Sequence, residues 1–362
     1  MKGKKTLIFK IAGIAGVCII LCVIGIALYG NYRIGKIPAL SFEEALQYTA
    51  KNNADAVITV GIIKDGEASF TVYGNNATEL SKEPHTYEIG SITKTFTAAL
   101  IQKAMEEGKV NLADTIDRYL QLPDGKKYPT IQQLLTHTSG YQAYYFETPM
   151  VGNFFAGRNS FYNIPAEMLR KKVSQIDLKE QEYSFQYSNF GFAVLGLVLE
   201  KVYQKDYTNM MNTYLQDELH LQNTKISDGN GDLKNYWDWQ SSDAYLPAGA
   251  ITSNITDMLA YAQMQLDEHL GFEQCHNSLK EINASTSAHK AMGINMNAIG
   301  MSWIIDEENN FIWHNGGTGN YNSYIALCPE TKTAVVILSN LAPDYRIPAT
   351  VLGVKLLKSL QQ

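Results

Sequence analysis

Ser91-Ile92-Thr93-Lys94 heads a run that holds Phe96, Ala98, Ala99, Leu100 and Ile101. A serine hydroxyl becomes a nucleophile only when a base stands beside it. Residues three apart share a helix face, so Lys94 can reach back to Ser91. The apolar residues that follow bury such a helix, and burial lowers a lysine pKa, which lets the amine give up its proton. Ser91 also stands at the helix start, where unpaired backbone N–H groups and the positive dipole end favour developing negative charge. The pattern is cheap by itself. Ser287-Ala288-His289-Lys290 matches it in a polar stretch that no apolar run follows, and an isolated serine at a helix start is more often an N-cap than a nucleophile.

Two further groups give the serine its context. Tyr187-Ser188-Asn189 precedes the apolar stretch 190–199, so it lies on the turn into a buried helix and can point a phenol and a carboxamide into a shared cleft. Tyr73-Gly74-Asn75 and Tyr207-Thr208-Asn209 repeat the spacing without that setting. His314-Asn315-Gly316 ends a strand pattern and leads through Gly317-Thr318-Gly319 into another, whereas His269-Leu270-Gly271 merely ends a helical one. Glycines there permit close approach of the backbone to a ligand, although a Gly-rich hairpin turn is the plainer reading of that stretch taken alone.

The elements that must position these residues follow from periodicity. Ser41-Phe42-Glu43-Glu44 reads as a capping box opening a first helix. The β-rich runs 56–63 and 68–74 are joined through Asp65-Gly66, a strong hairpin signal. A helix from Ser91 to about Glu107 is stopped by Gly108. The middle of the chain is helical in pattern at 131–135, 164–173, 190–202, 207–219 and 255–270, and strands follow at 301–306, 311–314, 321–327 and 334–338 before a last helix at about 347–360. Strands at both ends with helices between them predict an α+β fold: one antiparallel sheet from N- and C-terminal strands, flanked by helices, with a mostly helical region inserted. A cleft lies between the two.

The order Ser91-x-x-Lys94, then Tyr187-x-Asn189 96 residues on, then His314-x-Gly316 127 residues further, resembles the serine β-lactamase and penicillin-binding protein superfamily. It is most similar to the class C-type branch, with its DD-peptidases, esterases and D-aminopeptidases. Tyr87-Glu88-Ile89-Gly90, the stretch Leu134 to Gly140, Pro247-Ala248-Gly249 and the run 314–340 share the likeness, which spans about residues 55 to 340. The resemblance implies a β-lactamase/transpeptidase-like fold and an acyl-enzyme on Ser91. Lys94 and Tyr187 would share the serine proton, with either as the base, and Asn189 would hold the substrate amide. The N–H groups of Ser91 and Gly317 would form the oxyanion hole, each donor worth ~3 kcal/mol of barrier, and His314 and Gly316 would line the substrate strand. The substrate would be a cell-wall D-amino-acid peptide or a β-lactam, as for a DD-carboxypeptidase or β-lactamase; an esterase, a D-aminopeptidase or a non-hydrolytic sensor shares the same residues.

The chain departs from the pattern at the third motif, where many relatives carry Lys-Thr-Gly and the lysine holds a substrate carboxylate. An imidazole with an ordinary pKa of ~6.5 carries only part of a charge at neutral pH. If His314 takes the lysine's place, catalysis on a carboxylate-bearing substrate weakens as pH rises through that value. The class A deacylation glutamate has no recognisable counterpart. His137, within Thr136-His137-Thr138-Ser139-Gly140, reads as structural, and the aromatic segment 141–163 as the cleft wall.

Composition excludes other classes. The 362 residues are 45% hydrophobic and carry a net charge of −6, which leaves no basic surplus for nucleic acid. No Gly-x-Ser-x-Gly pentapeptide and no His-Glu-x-x-His motif occurs, and the seven histidines are scattered, so neither a metal nor another cofactor is expected. Lys2, Lys4 and Lys5 precede residues 11–30, 20 residues without a charge, long enough to cross a bilayer. The positive-inside rule predicts a cytoplasmic 1–10, a transmembrane signal anchor at 11–30, a linker at 31–40 and an extracytoplasmic hydrolase domain at 41–362, in a bacterial envelope. A cleaved signal peptide is the weaker reading, since Gly25-Ile26-Ala27 is a poor cleavage site and the apolar run exceeds a usual h-region. Of four cysteines, Cys18 and Cys22 lie in that segment, while Cys275 and Cys328 lie in the body with a disulfide left open.

Overall fold

The computed structural model describes residues 35–361. The expected anchor at 11–30 lies outside the described residues, and among those described no helix is long and apolar enough to cross a membrane. The strands are β1 (Ile58–Lys64), β2 (Glu67–Tyr73), β3 (Tyr87–Glu88), β4 (Lys225–Ile226), β5 (Ile251–Ser253), β6 (Lys280–Glu281), β7 (Ala298–Ile299), β8 (Ile304–Asp306), β9 (Phe311–Gly317), β10 (Asn322–Cys328) and β11 (Thr333–Ser339). The helices that matter most here are α1 (Phe42–Ala50), α2 (Thr93–Glu106), α3 (Asn189–Tyr203), α4 (Ile255–Leu266) and α5 (Ala349–Leu360).

One sheet runs in the order β2-β1-β11-β10-β9-β8-β7-β6, with antiparallel pairing at each step, so the first hairpin docks on the last strand as the sequence pattern predicts. Asp65 and Gly66 both take positive φ, +53° and +79°, and close the hairpin with Lys64 opposite Glu67. That turn geometry matches the strand twist. The central strands β10 and β11 are buried along their whole length, and their side chains divide by parity. Val335 and Ile337 join the core under α1 and α5, while Ala334, Val336 and Leu338 join the larger core toward α2, α3 and α4. Period-2 alternation in a sheet covered on both faces leaves an unbroken apolar run in the sequence.

The Ser41 capping box forms as expected: Glu44 N–H donates to Ser41 Oγ and Ser41 N–H to the Glu44 carboxylate. A second sheet, β3-β5-β4, was not foreseen. It holds the strand that leads into Ser91. Cys275 and Cys328 are both buried and unpaired, so no disulfide joins them.

Candidate active site

The serine is placed by a 3-10 turn, Gly90–Ile92, that runs straight into α2. Upstream, β3 is pinned to β5, and Ile89 N–H donates to the Ile251 carbonyl. Downstream, Thr93 Oγ1 accepts from Ile251 N–H at 3.0 Å and Thr97 Oγ1 donates to Pro247 O at 2.8 Å. These bonds fix the start of α2 on both sides. Thr93 to Gln102 are buried without interruption, Lys94 at 0% exposure among them.

Lys94 Nζ lies 3.0 Å from Ser91 Oγ, 2.8 Å from Asn189 Oδ1 and 2.6 Å from the Ala248 carbonyl. Among the described residues, no carboxylate pairs with it in an ion pair. An unpaired buried ammonium costs several kcal/mol, and hydrogen bonds to neutral acceptors return about 1 kcal/mol each, rather more to a charge. Burial therefore wins and holds the lysine pKa well below 10.5. A neutral amine has two N–H donors and one lone pair. Asn189 Oδ1 and Ala248 O take the donors, and the lone pair is left for the Ser91 hydroxyl proton. That is the arrangement of a general base.

Tyr187 is held from both flanks. Gln186 N–H donates to His137 O at 2.8 Å and Ser188 N–H to His137 Nδ1 at 3.1 Å. Ser188 then caps α3, accepting from Gly191 N–H at 2.9 Å. The Tyr187 phenol hydrogen-bonds Ser91, and burial raises its pKa above that of an ordinary phenol. It stays protonated at neutral pH, suited to pass a proton to a leaving group rather than to take the first one. Asn189 begins α3, and its carbonyl is committed to Lys94. What it can offer a substrate is its amide N–H.

His137 is structural, as the sequence indicated. Buried at 1% exposure with φ +56°, it lies under the Tyr187 ring with centroids 4.4 Å apart. Ser287, in the other Ser-x-x-Lys match, sits exposed in a short helix that Thr286 caps.

The fourth wall is β9. His314 and Gly316 face the serine side of the sheet, and Trp313 joins the opposite core. A Cβ on Gly316 would come within 1.9 Å of Ile89 O, and one on Gly90 within 2.6 Å of Gly317 N. Neither position has room for a side chain, so backbone packs directly on backbone. This brings the Gly317 amide against the turn that carries Ser91, the placement an oxyanion hole needs. Ser323 Oγ donates to Ile89 O at 2.8 Å and Asn322 Nδ2 to Gly316 O at 2.8 Å, which fix that register.

His314 departs from the expectation of a partial cation. It is 3% exposed, its Nδ1 lies 2.6 Å from the carbonyl of Asn315, and burial together with the nearby Lys94 pushes its pKa down to about 3. The imidazole is neutral at neutral pH and cannot hold a carboxylate by charge. Part of the aromatic segment borders a cavity of its own: Phe154, Arg158 and Asn159 face Trp237 and Asn320 across a space of about 780 Å³, and Ser91, Lys94 and Tyr187 are not among the residues that line it. Ala248 O was missed as a lysine acceptor because a backbone carbonyl leaves no mark in a sequence. Glu88 and Thr318 were missed too, although each adjoins a motif.

A model of the family described as Beta-lactamase matches residues 49–355. The chain belongs to the beta-lactamase family. The serine β-lactamase and penicillin-binding protein superfamily read from the three motifs is therefore the right one. Protein flp of Staphylococcus aureus (strain MRSA252) is 24% identical over 281 residues, 72% of this chain and 53% of its own length. The chain thus spans about half the length of the curated relatives it matches. The octameric penicillin-binding protein homologue from Pyrococcus abyssi superposes with a TM-score of 0.70 at 21% identity, over 88% of this chain and 75% of that one. A beta-lactamase/D-alanine carboxypeptidase from Yersinia pestis, solved with citrate, gives 0.66 at 18% identity over 92% and 99%. These likenesses fix the α+β, β-lactamase/transpeptidase-like fold, and members of this fold family are typically serine hydrolases.

Proposed function

We propose that this chain is a membrane-tethered serine hydrolase that acts through a Ser91 acyl-enzyme on cell-wall D-amino-acid peptides or β-lactams, in the manner of a DD-carboxypeptidase, outside the cytoplasm. The observation that carries the chemistry is the triple contact of the buried Lys94 amine, which leaves its lone pair for Ser91. Lys94 takes the hydroxyl proton as Ser91 Oγ attacks the carbonyl carbon. The Ser91 and Gly317 N–H groups meet the charge that develops on the carbonyl oxygen. Tyr187 gives its proton to the leaving nitrogen or oxygen and takes back the proton that Lys94 accepted from Ser91, the Lys94 amine lying 4.8 Å from the centre of its ring. Water then enters by the same route in reverse.

The tether rests on the uncharged segment 11–30 behind its lysines. The substrate class rests on the family. Since His314 supplies no charge, a substrate carboxylate finds no cation on β9.

The test is covalent labelling with a fluorescent penicillin and with a fluorophosphonate. Ser91→Ala is expected to abolish labelling and Ser287→Ala to leave it intact; equal labelling of the Ser91 variant overturns the assignment. Hydrolysis of nitrocefin, a D-Ala-D-Ala tripeptide and a short-chain nitrophenyl ester by the intact protein then ranks the substrates.

A further inference from the structure

Glu88 is 2% exposed and, among the described residues, forms no ion pair, yet it is used at both oxygens. Oε1 accepts from the Trp237 backbone N–H at 2.6 Å, and Oε2 accepts from Thr318 Oγ1 at 2.5 Å. Three segments distant in sequence meet there. Glu88 is the last residue of β3 and stands three residues before the nucleophile. Thr318 directly follows Gly317 at the end of β9, and Trp237 packs against Gly319, two residues beyond Gly317, where a Cβ would come within 2.6 Å of the indole Nε1.

Stability alone does not account for such a residue. Burying a carboxylate costs more than two neutral donors return, and an apolar residue of the same volume serves a core as well or better. The cost is visible in the pKa of Glu88, which burial pushes up to about 7 against the lowering effect of both hydrogen bonds. What the carboxylate does that an apolar side chain cannot is set distances. It ties the strand ahead of Ser91 to the strand carrying the Gly317 amide, and ties both to the loop that carries Trp237.

We propose that Glu88 is a positioning residue, whose carboxylate sets the register of the Gly317 amide and of the Trp237 loop against Ser91 and so governs the rate of acylation. It touches neither substrate nor reacting atoms. The proposal rests on the Ser91 acyl-enzyme reading, and the two are separable by experiment.

The test measures acylation of the full chain in detergent by a fluorophosphonate, per active site, together with kcat and KM on a nitrophenyl ester and the thermal midpoint. Glu88→Ala is expected to slow acylation about tenfold or more, since sub-ångström misplacement of donors lowers rates on that scale. The loss should fall on kcat. Glu88→Gln is expected to recover to within about fivefold, the worth of one net hydrogen bond, because its amide oxygen still accepts from Trp237 and its NH2 donates to Thr318 Oγ1. A purely structural role lowers the midpoint and leaves the rate per folded molecule unchanged. That outcome, or a glutamine variant as slow as alanine, overturns the proposal. Should Glu88→Ala not fold, Thr318→Val carries the test, since it removes one arm and keeps the carboxylate: slower acylation at an unaltered midpoint supports the assignment, and wild-type acylation overturns it. Absence of labelling at Ser91 in the unmodified protein is a different result. It removes the acyl-enzyme reading itself and is read before any Glu88 variant is made.

Discussion

A lysine with an ordinary pKa is useless as a base at neutral pH, so the chemistry of Lys94 depends on where the fold puts it. Its amine is fully buried and meets three neutral oxygens, and desolvation lowers its pKa while burial raises that of Tyr187. The two candidate bases are thus driven apart, which favours Lys94 as the base and Tyr187 as the acid. If Lys94 is the base, acylation rises with pH through the depressed lysine value and is level above it, well short of 10.5. If a Tyr187 phenolate were the base, the rate would keep climbing into the alkaline range. A pH profile of the acylation constant for wild type and Tyr187→Phe separates these: the expected result is an acid limb that survives loss of the phenol, at a lower overall rate. His314 contributes no limb of its own. With its pKa pushed down to about 3 it is neutral throughout the range from about 5.5 to 8.5. The profile of His314→Gln on a carboxylate-bearing substrate should therefore have the wild-type shape in that range. A limb that vanishes with the histidine would restore the cationic role its residue type implied. The sequence could not decide this, because a histidine's charge depends on burial by segments remote in the chain.

At the scale of elements, the site is a meeting of two backbones. The turn at Gly90 and the end of β9 at Gly316 and Gly317 touch without side chains between them. Gly316→Ala would drive a methyl to 1.9 Å from Ile89 O, inside the space of a backbone atom held by Ser323. The strands must part, at ~1 to 3 kcal/mol of stability. Because the oxyanion donor moves with them, the rate is expected to fall further than the stability, by ~100-fold in acylation. Thermal unfolding and labelling kinetics on the same variant give both numbers, and a variant that loses stability but acylates normally would show that Gly317 is no donor. Here the sequence was only half legible. It located the glycines and the order of elements, but the predicted strand at 311–314 in fact runs to Gly317, because β10 supplies a ladder in which Gly316 faces Ser323 and Gly317 faces Asn322. A glycine run reads as a turn unless its partner strand is known. The strand expected from 301 starts only at Ile304, since Ser302 takes φ +72°. The two- and three-residue strands β3, β4 and β5 carry too few residues for any period to show.

For the whole molecule, the early and late parts of the chain are one structure. β1 pairs with β11 from Ile58 opposite Ser339 to Ile63 opposite Ala334, and α1 packs against α5, where Lys355 Nζ donates to Leu40 O at 2.6 Å and Arg346 to Lys51 O at 2.6 Å. This closure was legible because alternation and the Asp65-Gly66 turn mark the first hairpin plainly, and the apolar late strands needed a partner. Contacts among the described residues already hold Ser91, Lys94, Tyr187, Asn189 and Gly317 in place. If residues 11–30 act as an anchor, they then act on location and not on catalysis. The prediction is a clean separation. The full chain expressed in a bacterial host should fractionate with membranes, resist high salt and alkaline extraction, and come free in detergent, while a chain starting at residue 35 should be soluble and label at Ser91 with the same acylation constant. Release of the full chain by salt alone would remove the anchor from the proposal and leave the chemistry standing. A truncated chain that is soluble and folded but acylates slowly would show instead that the leading segment reaches the site, contrary to the closure of the sheet on itself.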